Sequence, residues 1–210
     1  MIGLVLPTLV ATLASIILGG SLSRCVQARF AGWPVLVGVF GLELVLYNPP
    51  VNQQAWALAA GPWIWVATKP IMLAVLARNA QLDAPCRLAW IAIMLGVGLN
   101  ALAVGANGGH MPQSTDAAAA VWGADYVRPD TYSGRLENIV WMQPTTPLAW
   151  LCDILPEPAW LPRANVLSIG DVTLSLGVAM WMFSVTRGRG DRMPRFGLGR
   201  WRVAEVPSRV

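Results

Sequence analysis

The chain has 210 residues, 55% of them hydrophobic and only 12% charged, with a formal net charge of +4 and a mean hydropathy of +0.52. A soluble domain carries about a quarter charged residues. Half of that leaves too little charge to coat a water-facing surface, and disordered chains are polar and charge-rich, so both classes are excluded in favour of an integral membrane protein.

A membrane span needs about 20 mostly apolar residues, and five stretches qualify. The first, residues 2–20, has no charged segment before it, so a cleaved signal peptide is not the natural reading. The second, 30–47, ends at Asn48-Pro49-Pro50, because proline disfavours helical geometry in the residue before it. The third, 55–77, contains Pro70, which removes a backbone donor and should kink it. The fourth, 88–106, stops at Asn107-Gly108-Gly109, and the fifth covers 166–185. Runs of this length are helices rather than strands, so the expected fold is an all-α membrane domain of five transmembrane helices over residues 1–185. A basic tail, 186–210, follows it.

Arginine placement predicts the orientation. Arg24 and Arg29 follow the first span, no charge follows the second, and Arg78 and Arg87 against Asp83 follow the third. The long connection, 107–165, has three arginines against six acids, and the tail has seven arginines against two acids. Basic connections stay cytoplasmic, so the expected topology places the N-terminus outside and the C-terminus in the cytoplasm. The tail is read as a juxtamembrane anchor to anionic lipid. It is not read as a nucleic-acid surface, since its bases do not alternate with aromatics.

The 107–165 connection is too long to be a mere linker. Its Asn107-Gly108-Gly109-His110-Met111-Pro112 start can turn sharply, residues 117–122 form a helical turn or a mobile stretch, and 125–135 are polar and exposed. Thr146-Pro147 has the chemistry of an N-cap followed by proline at the first helical position. A short amphipathic helix over 147–155 is therefore expected in the membrane interface. Pro156, Pro158 and Pro162 then make an extended lid.

Ionisable residues at membrane depth are functional candidates. Glu43 lies about 6 Å inside the outer end of the second span, and Asp171 about 8 Å inside that of the fifth. Asn100 lies at a similar depth in the fourth. These three are expected to share one outer polar layer, with His110 and Arg163 close above. Lys69 lies deeper and is expected to snorkel to the cytoplasmic surface, with a buried pairing to a carboxylate as the alternative. Asp171 or Ser168 is expected to hydrogen-bond to the 107–111 turn or to the Asn107 and His110 side chains, clamping the loop at both ends. A structural network, rather than a ligand site, is the plainer reading of these groups.

Catalytic signals fail on inspection. G-x-S-x-G is absent, as are the P-loop, H-E-x-x-H and dinucleotide patterns, and intramembrane carboxylate proteases need paired aspartates on two spans. The single histidine, His110, lies in no apolar segment, which argues against haem or pigment. The three cysteines have no paired spacing. No catalytic residue, metal or cofactor is expected.

The segments Asn107-Gly-Gly-His-Met-Pro112, Leu148-Ala-Trp150-Leu-Cys-Asp153-Ile-Leu-Pro156 and Asn165-Val-Leu-Ser168-Ile-Gly-Asp171 resemble a family of uncharacterised bacterial multi-spanning membrane proteins. That family has N-G-G-x-M-P and S-I-G-D motifs, and usually Gly where this chain has Cys152. The resemblance implies a bacterial cytoplasmic membrane location and lends no activity.

Two functions remain. The first is a non-catalytic accessory or structural subunit of a larger membrane assembly, with the bilayer and other membrane subunits as partners and no nucleic acid. The second is a small-solute or ion transporter using the polar layer around Glu43, Asn100 and Asp171.

Overall fold

A computed structural model describes residues 2–188, and the basic tail lies almost wholly outside these. The fold is mostly helical. Its long elements are α1 (Ile2–Ile17), α3 (Trp33–Leu46), α4 (Ala55–Leu82), α5 (Arg87–Ala106) and α7 (Ile169–Thr186), with the short α2 (Ser23–Gln27) between α1 and α3. Between α5 and α7 the chain builds a cap. It contains α6 (Thr115–Trp122) and four short strands: β1 (Met111–Gln113), β2 (Ile139–Trp141), β3 (Leu155–Pro156) and β4 (Val166–Leu167).

Each of the five expected spans contains a helix, but among the described residues only three helices are long and apolar enough to cross a membrane: Ala55–Leu82, Ala84–Ala106 and Ile169–Thr186. This corrects the expectation of five full spans. α1 has 16 residues and α3 has 14, so at 1.5 Å per residue they reach about 24 and 21 Å, short of a hydrocarbon core of about 30 Å. Glycine cuts both stretches. Gly19 follows α1 with φ +86° and Gly32 precedes α3 with φ +74°, a left-handed backbone that glycine adopts without penalty and a continuing helix cannot contain.

The helices run alternately away from and toward the cap. Ser175 Oγ donates to the Leu4 carbonyl and Ser15 Oγ meets Thr186 Oγ1, so α1 and α7 lie parallel, both starting at the cap. α5 and α7 are antiparallel and close. An added Cβ at Gly96 would lie 2.5 Å from Leu174 N, and one at Gly177 would lie 2.6 Å from Ile93 N. Gly98, two residues on from Gly96, has nothing within 4 Å of its Cβ position.

α4 is longer than expected, with 28 residues and both Pro62 and Pro70 inside it. Its second half pairs with α3. Asn79 accepts from Ala31 N and donates to the Ala31 carbonyl, and Tyr47 meets Trp65 edge-on. Its first ten residues pass the end of α3 and enter the cap. There Leu136 covers Gly61, and Gly109 presses on Pro62.

The cap carries regular secondary structure. β1 and β2 pair in parallel, β3 and β4 pair antiparallel, and Gln113 bridges to Asp153 between them. Ser114 caps α6 by accepting from Ala117 N. The turn after α5 matches expectation, with Gly108 and Gly109 at φ +65° and +88°.

Two local expectations are corrected. Residues 147–155 do not form an interfacial helix. Leu148 takes a left-handed conformation, only a 3-10 turn forms over Ala149–Leu151, and residue 155 enters β3. Thr146 Oγ1 accepts from Gln143 N instead of capping a helix. Leu151 is buried within the protein, and Trp150 is on its surface. At the fifth span, Val166 and Leu167 belong to β4 and the helix starts only at Ile169, because Ser168 and Asp171 form a capping box there.

Candidate functional site: a polar chamber under the cap

α7 opens with the pattern Ser168-Ile-Gly-Asp171. The Ser168 hydroxyl accepts from Asp171 N at 2.9 Å, and Asp171 Oδ2 accepts from Ser168 N at 3.0 Å. This reciprocal arrangement satisfies two orphan donors of the helix N-terminus. Asn100, on α5, reads both partners. Its Nδ2 donates to Asp171 Oδ1 at 2.7 Å, and its Oδ1 accepts from Ser168 Oγ at 2.8 Å. Gly170 permits this, since a Cβ there would sit 1.9 Å from Asn100 Oδ1.

The expected clamp between α7 and the 107–111 turn does not form. Asp171 and Ser168 bind Asn100 on α5, not the 107–111 turn. Asn107 ends α5 instead, donating from Nδ2 to the Ala103 carbonyl at 2.7 Å and to the Pro147 carbonyl at 3.0 Å. His110 is half-buried, and burial lowers its pKa against a smaller opposing hydrogen bond at Gly108. It joins neither group.

Glu43 does not join Asn100 and Asp171 either. Lys69 Nζ lies 2.7 Å from Glu43 Oε1, with the two side chains only 11% and 17% exposed. Thr68 Oγ1 donates to the same oxygen at 2.6 Å. The ammonium also sits 4.5 Å from the centre of the Trp65 ring, a cation–π geometry. The expected snorkelling is thus replaced by pairing. The reason is the length of α4: its first ten residues belong to the cap, which brings position 69 level with position 43.

Asn100 and Asp171 face a cavity of about 180 Å³ where α1, α4, α5 and α7 meet the cap. Asn138, Asp153 and Asn165 contribute from the cap, while Leu4 and Trp65 give apolar walls. Three of the five polar groups were not among the expected site residues. Asp153 is 7% exposed. Its backbone is pinned, with its N–H donating to the Pro112 carbonyl and its carbonyl accepting from Ser114 N. Its pKa is pushed up to about 8 by burial and then by the Asp171 carboxylate. A sequence signal for it existed: it is a lone acid in the apolar run Leu151-Cys152-Asp153-Ile154-Leu155.

Among the described residues, no three His, Cys, Asp or Glu side chains converge as a metal cluster. Among the described residues, no serine or cysteine hydrogen-bonds to His110. What this arrangement offers is recognition: two carboxyls and three amides in a small cavity with apolar walls, where low dielectric strengthens each polar contact.

The fold and chamber define a helical protein with three helices suited to a membrane and a folded polar cap. Residues 27–183 match DUF5317, a family of unknown function, and the chain belongs to that family. No curated protein and no solved structure matches it.

Proposed function

We propose that this is a non-catalytic, multi-pass membrane protein of the bacterial cytoplasmic membrane that holds a small polar solute or ion in the chamber under its cap. The chamber is the observation that carries the reading. Buried polar groups normally find partners within the protein, yet here a buried carboxyl and two asparagines are turned to a shared space. A cavity of about 180 Å³ is below the 300–1,000 Å³ of drug-sized ligand sites, so the ligand is an ion or a molecule of a few atoms.

In this reading the cap faces outward, with the N-terminus outside and the tail in the cytoplasm. The alternation of the helices and the clustering of Arg24, Arg29, Arg78 and Arg87 at connections away from the cap support that orientation. Purified protein in mild detergent tests the binding reading. A panel of small ions and polar solutes should contain one that raises the melting temperature saturably, and a flat response across the panel contradicts it.

A second reading, the accessory subunit of a larger assembly, draws on a different feature. An apolar groove of about 640 Å³ runs between α4 and α5, lined by Leu73, Ile91, Leu95, Gly98 and Leu102 among others. Small residues at such a surface let a neighbouring helix approach closely. Mild purification with partners at fixed ratio supports this reading, and a chain that purifies alone counts against it.

A further inference from the structure

We propose that the chamber under the cap is a site for one hard divalent cation of the calcium type, held between Asp153 and Asp171 and completed by the amide oxygens of Asn138 and Asn165 and by water. The inference rests on the reading that the chamber binds a ligand, and names its class.

Charge is the first argument. Asp153 comes from the cap and Asp171 from the first turn of α7, and both line the same cavity. None of the ten lining residues is basic. The nearby ammonium of Lys69 is committed to Glu43. Two ionised carboxylates in one apolar-walled space would be expensive without a counter-charge, and a divalent cation is the smallest species that lets both stay charged.

The second argument is the state of the individual groups. The Asp153 side chain is buried, and among the described residues no hydrogen-bond donor reaches its carboxyl although it borders the cavity. Asp171 is held by one donor on each oxygen, Asn100 Nδ2 and Ser168 N, which orients the carboxylate and leaves further lone pairs for a ligand. Asn100 is used up on both ends of its amide, so it is a positioning residue. Asn138 and Asn165 are fixed through their backbones: the Asn138 carbonyl accepts from Met111 N, the Asn165 carbonyl accepts from Glu157 N, and Asn165 N donates to Glu157 Oε2. Their side chains border the cavity with no hydrogen bond to another described residue.

The third argument is ligand chemistry. The donors are all oxygens, with neither histidine nor cysteine in the lining. Oxygen-only sets select hard cations over zinc or copper. Calcium takes six to eight oxygens in flexible geometry, whereas magnesium demands a strict octahedron. Two carboxylates and two amides leave a few places for water. A cavity of about 180 Å³ has that room, since each water occupies about 30 Å³.

The test is calcium titration of the purified full chain in detergent at constant pH and ionic strength, with sodium chloride as the matched salt. Melting temperature and calorimetric heat are read together. Wild type should bind calcium saturably near one equivalent, with a rise in melting temperature that sodium does not reproduce. Asp153→Asn should weaken binding by about tenfold or more and still fold, because that side chain supports no hydrogen bond. Asp130→Asn, an exposed acid of the cap, should leave binding unchanged. Absence of saturable calcium binding, or calcium binding that survives Asp153→Asn, overturns the proposal. The broader binding reading is judged separately by the solute panel. If another small solute stabilises wild type and loses its effect in Asp153→Asn, the cation assignment falls and the chamber reading stands. If neither calcium nor any solute acts, both fall.

Discussion

Gly96 and Gly98 stand two residues apart on α5, and alanine should have opposite effects at the two. At Gly96 an added Cβ would lie 2.5 Å from Leu174 N, 2.6 Å from the Gly170 carbonyl oxygen and 2.7 Å from Leu174 Cβ. Two of these are backbone atoms, so no side-chain rotation relieves them, and α5 and α7 must part by about 1 Å to restore ordinary contact. Overpacking of this kind costs about 1–3 kcal/mol. The separation also strains the bonds from Asn100 to Ser168 and Asp171, one turn away on the same face. Replacing a helical glycine returns at most about 1 kcal/mol, so Gly96→Ala should be destabilising overall. At Gly98 nothing lies within 4 Å, and the helical preference of alanine acts alone. For a chain of this size about 1 kcal/mol corresponds to 2–4 °C. Thermal unfolding in detergent, followed by tryptophan fluorescence, should place Gly96→Ala several degrees below wild type and Gly98→Ala at or slightly above it. A Gly96→Ala protein as stable as wild type would refute the close α5–α7 contact.

Three further outcomes are expected. Glu43→Leu alone should cost about 3 kcal/mol by stranding the Lys69 ammonium, and adding Lys69→Met should recover most of it, since replacing both members of a buried pair is often neutral; a denaturation double-mutant cycle with no coupling contradicts the pairing. Ser168→Ala removes the α7 N-cap, typically about 1 kcal/mol, and leaves Asn100 Oδ1 without its donor, a further cost of about 1–3 kcal/mol; an unchanged melting temperature would show that the clamp is idle. Burial holds the pKa of His110 below its usual 6.5, so its neutral form favours the folded state. Its contribution is therefore full above pH about 6.5 and is lost as pH falls through the ordinary histidine range. His110→Gln should flatten the acid side of the stability profile relative to wild type, and identical profiles between pH 7 and 5 would refute this.

Much of the bundle was legible because apolar length and glycine or proline stops act locally. The end of α5 at Asn107-Gly108-Gly109 is of that kind. What misled was register between segments. Nothing local says that the first turns of α4 belong to the cap, so Lys69 looked deep and Glu43 was grouped with Asn100 and Asp171, whereas position 31 pairs with position 79. At the last helix, the Ser168–Asp171 spacing of a capping box was present in the sequence, but the apolar Val166 and Leu167 before it read as continued span when they pair with β3. Thr146-Pro147 is the converse case, a local helix-start pattern overridden by strand pairing at residues 155–156. Asn100 and Asp171 were identified individually by depth. Their contact with each other, and the arrival of Asn138 and Asp153 beside them, depend on how the cap folds back on the helices, which no periodicity encodes.

The central claim is that the chamber between Asp153 and Asp171 takes a ligand, and that the ligand is a hard divalent cation. Crystals of the full chain grown with strontium or barium in place of calcium, diffracted at a wavelength with strong anomalous signal, test it most directly. The account predicts a single dominant anomalous peak between the two carboxylates, with Asn138 and Asn165 side-chain oxygens turned to it, and its loss in Asp153→Asn. A featureless chamber, or cation peaks only at exposed acids such as Asp130, would contradict it.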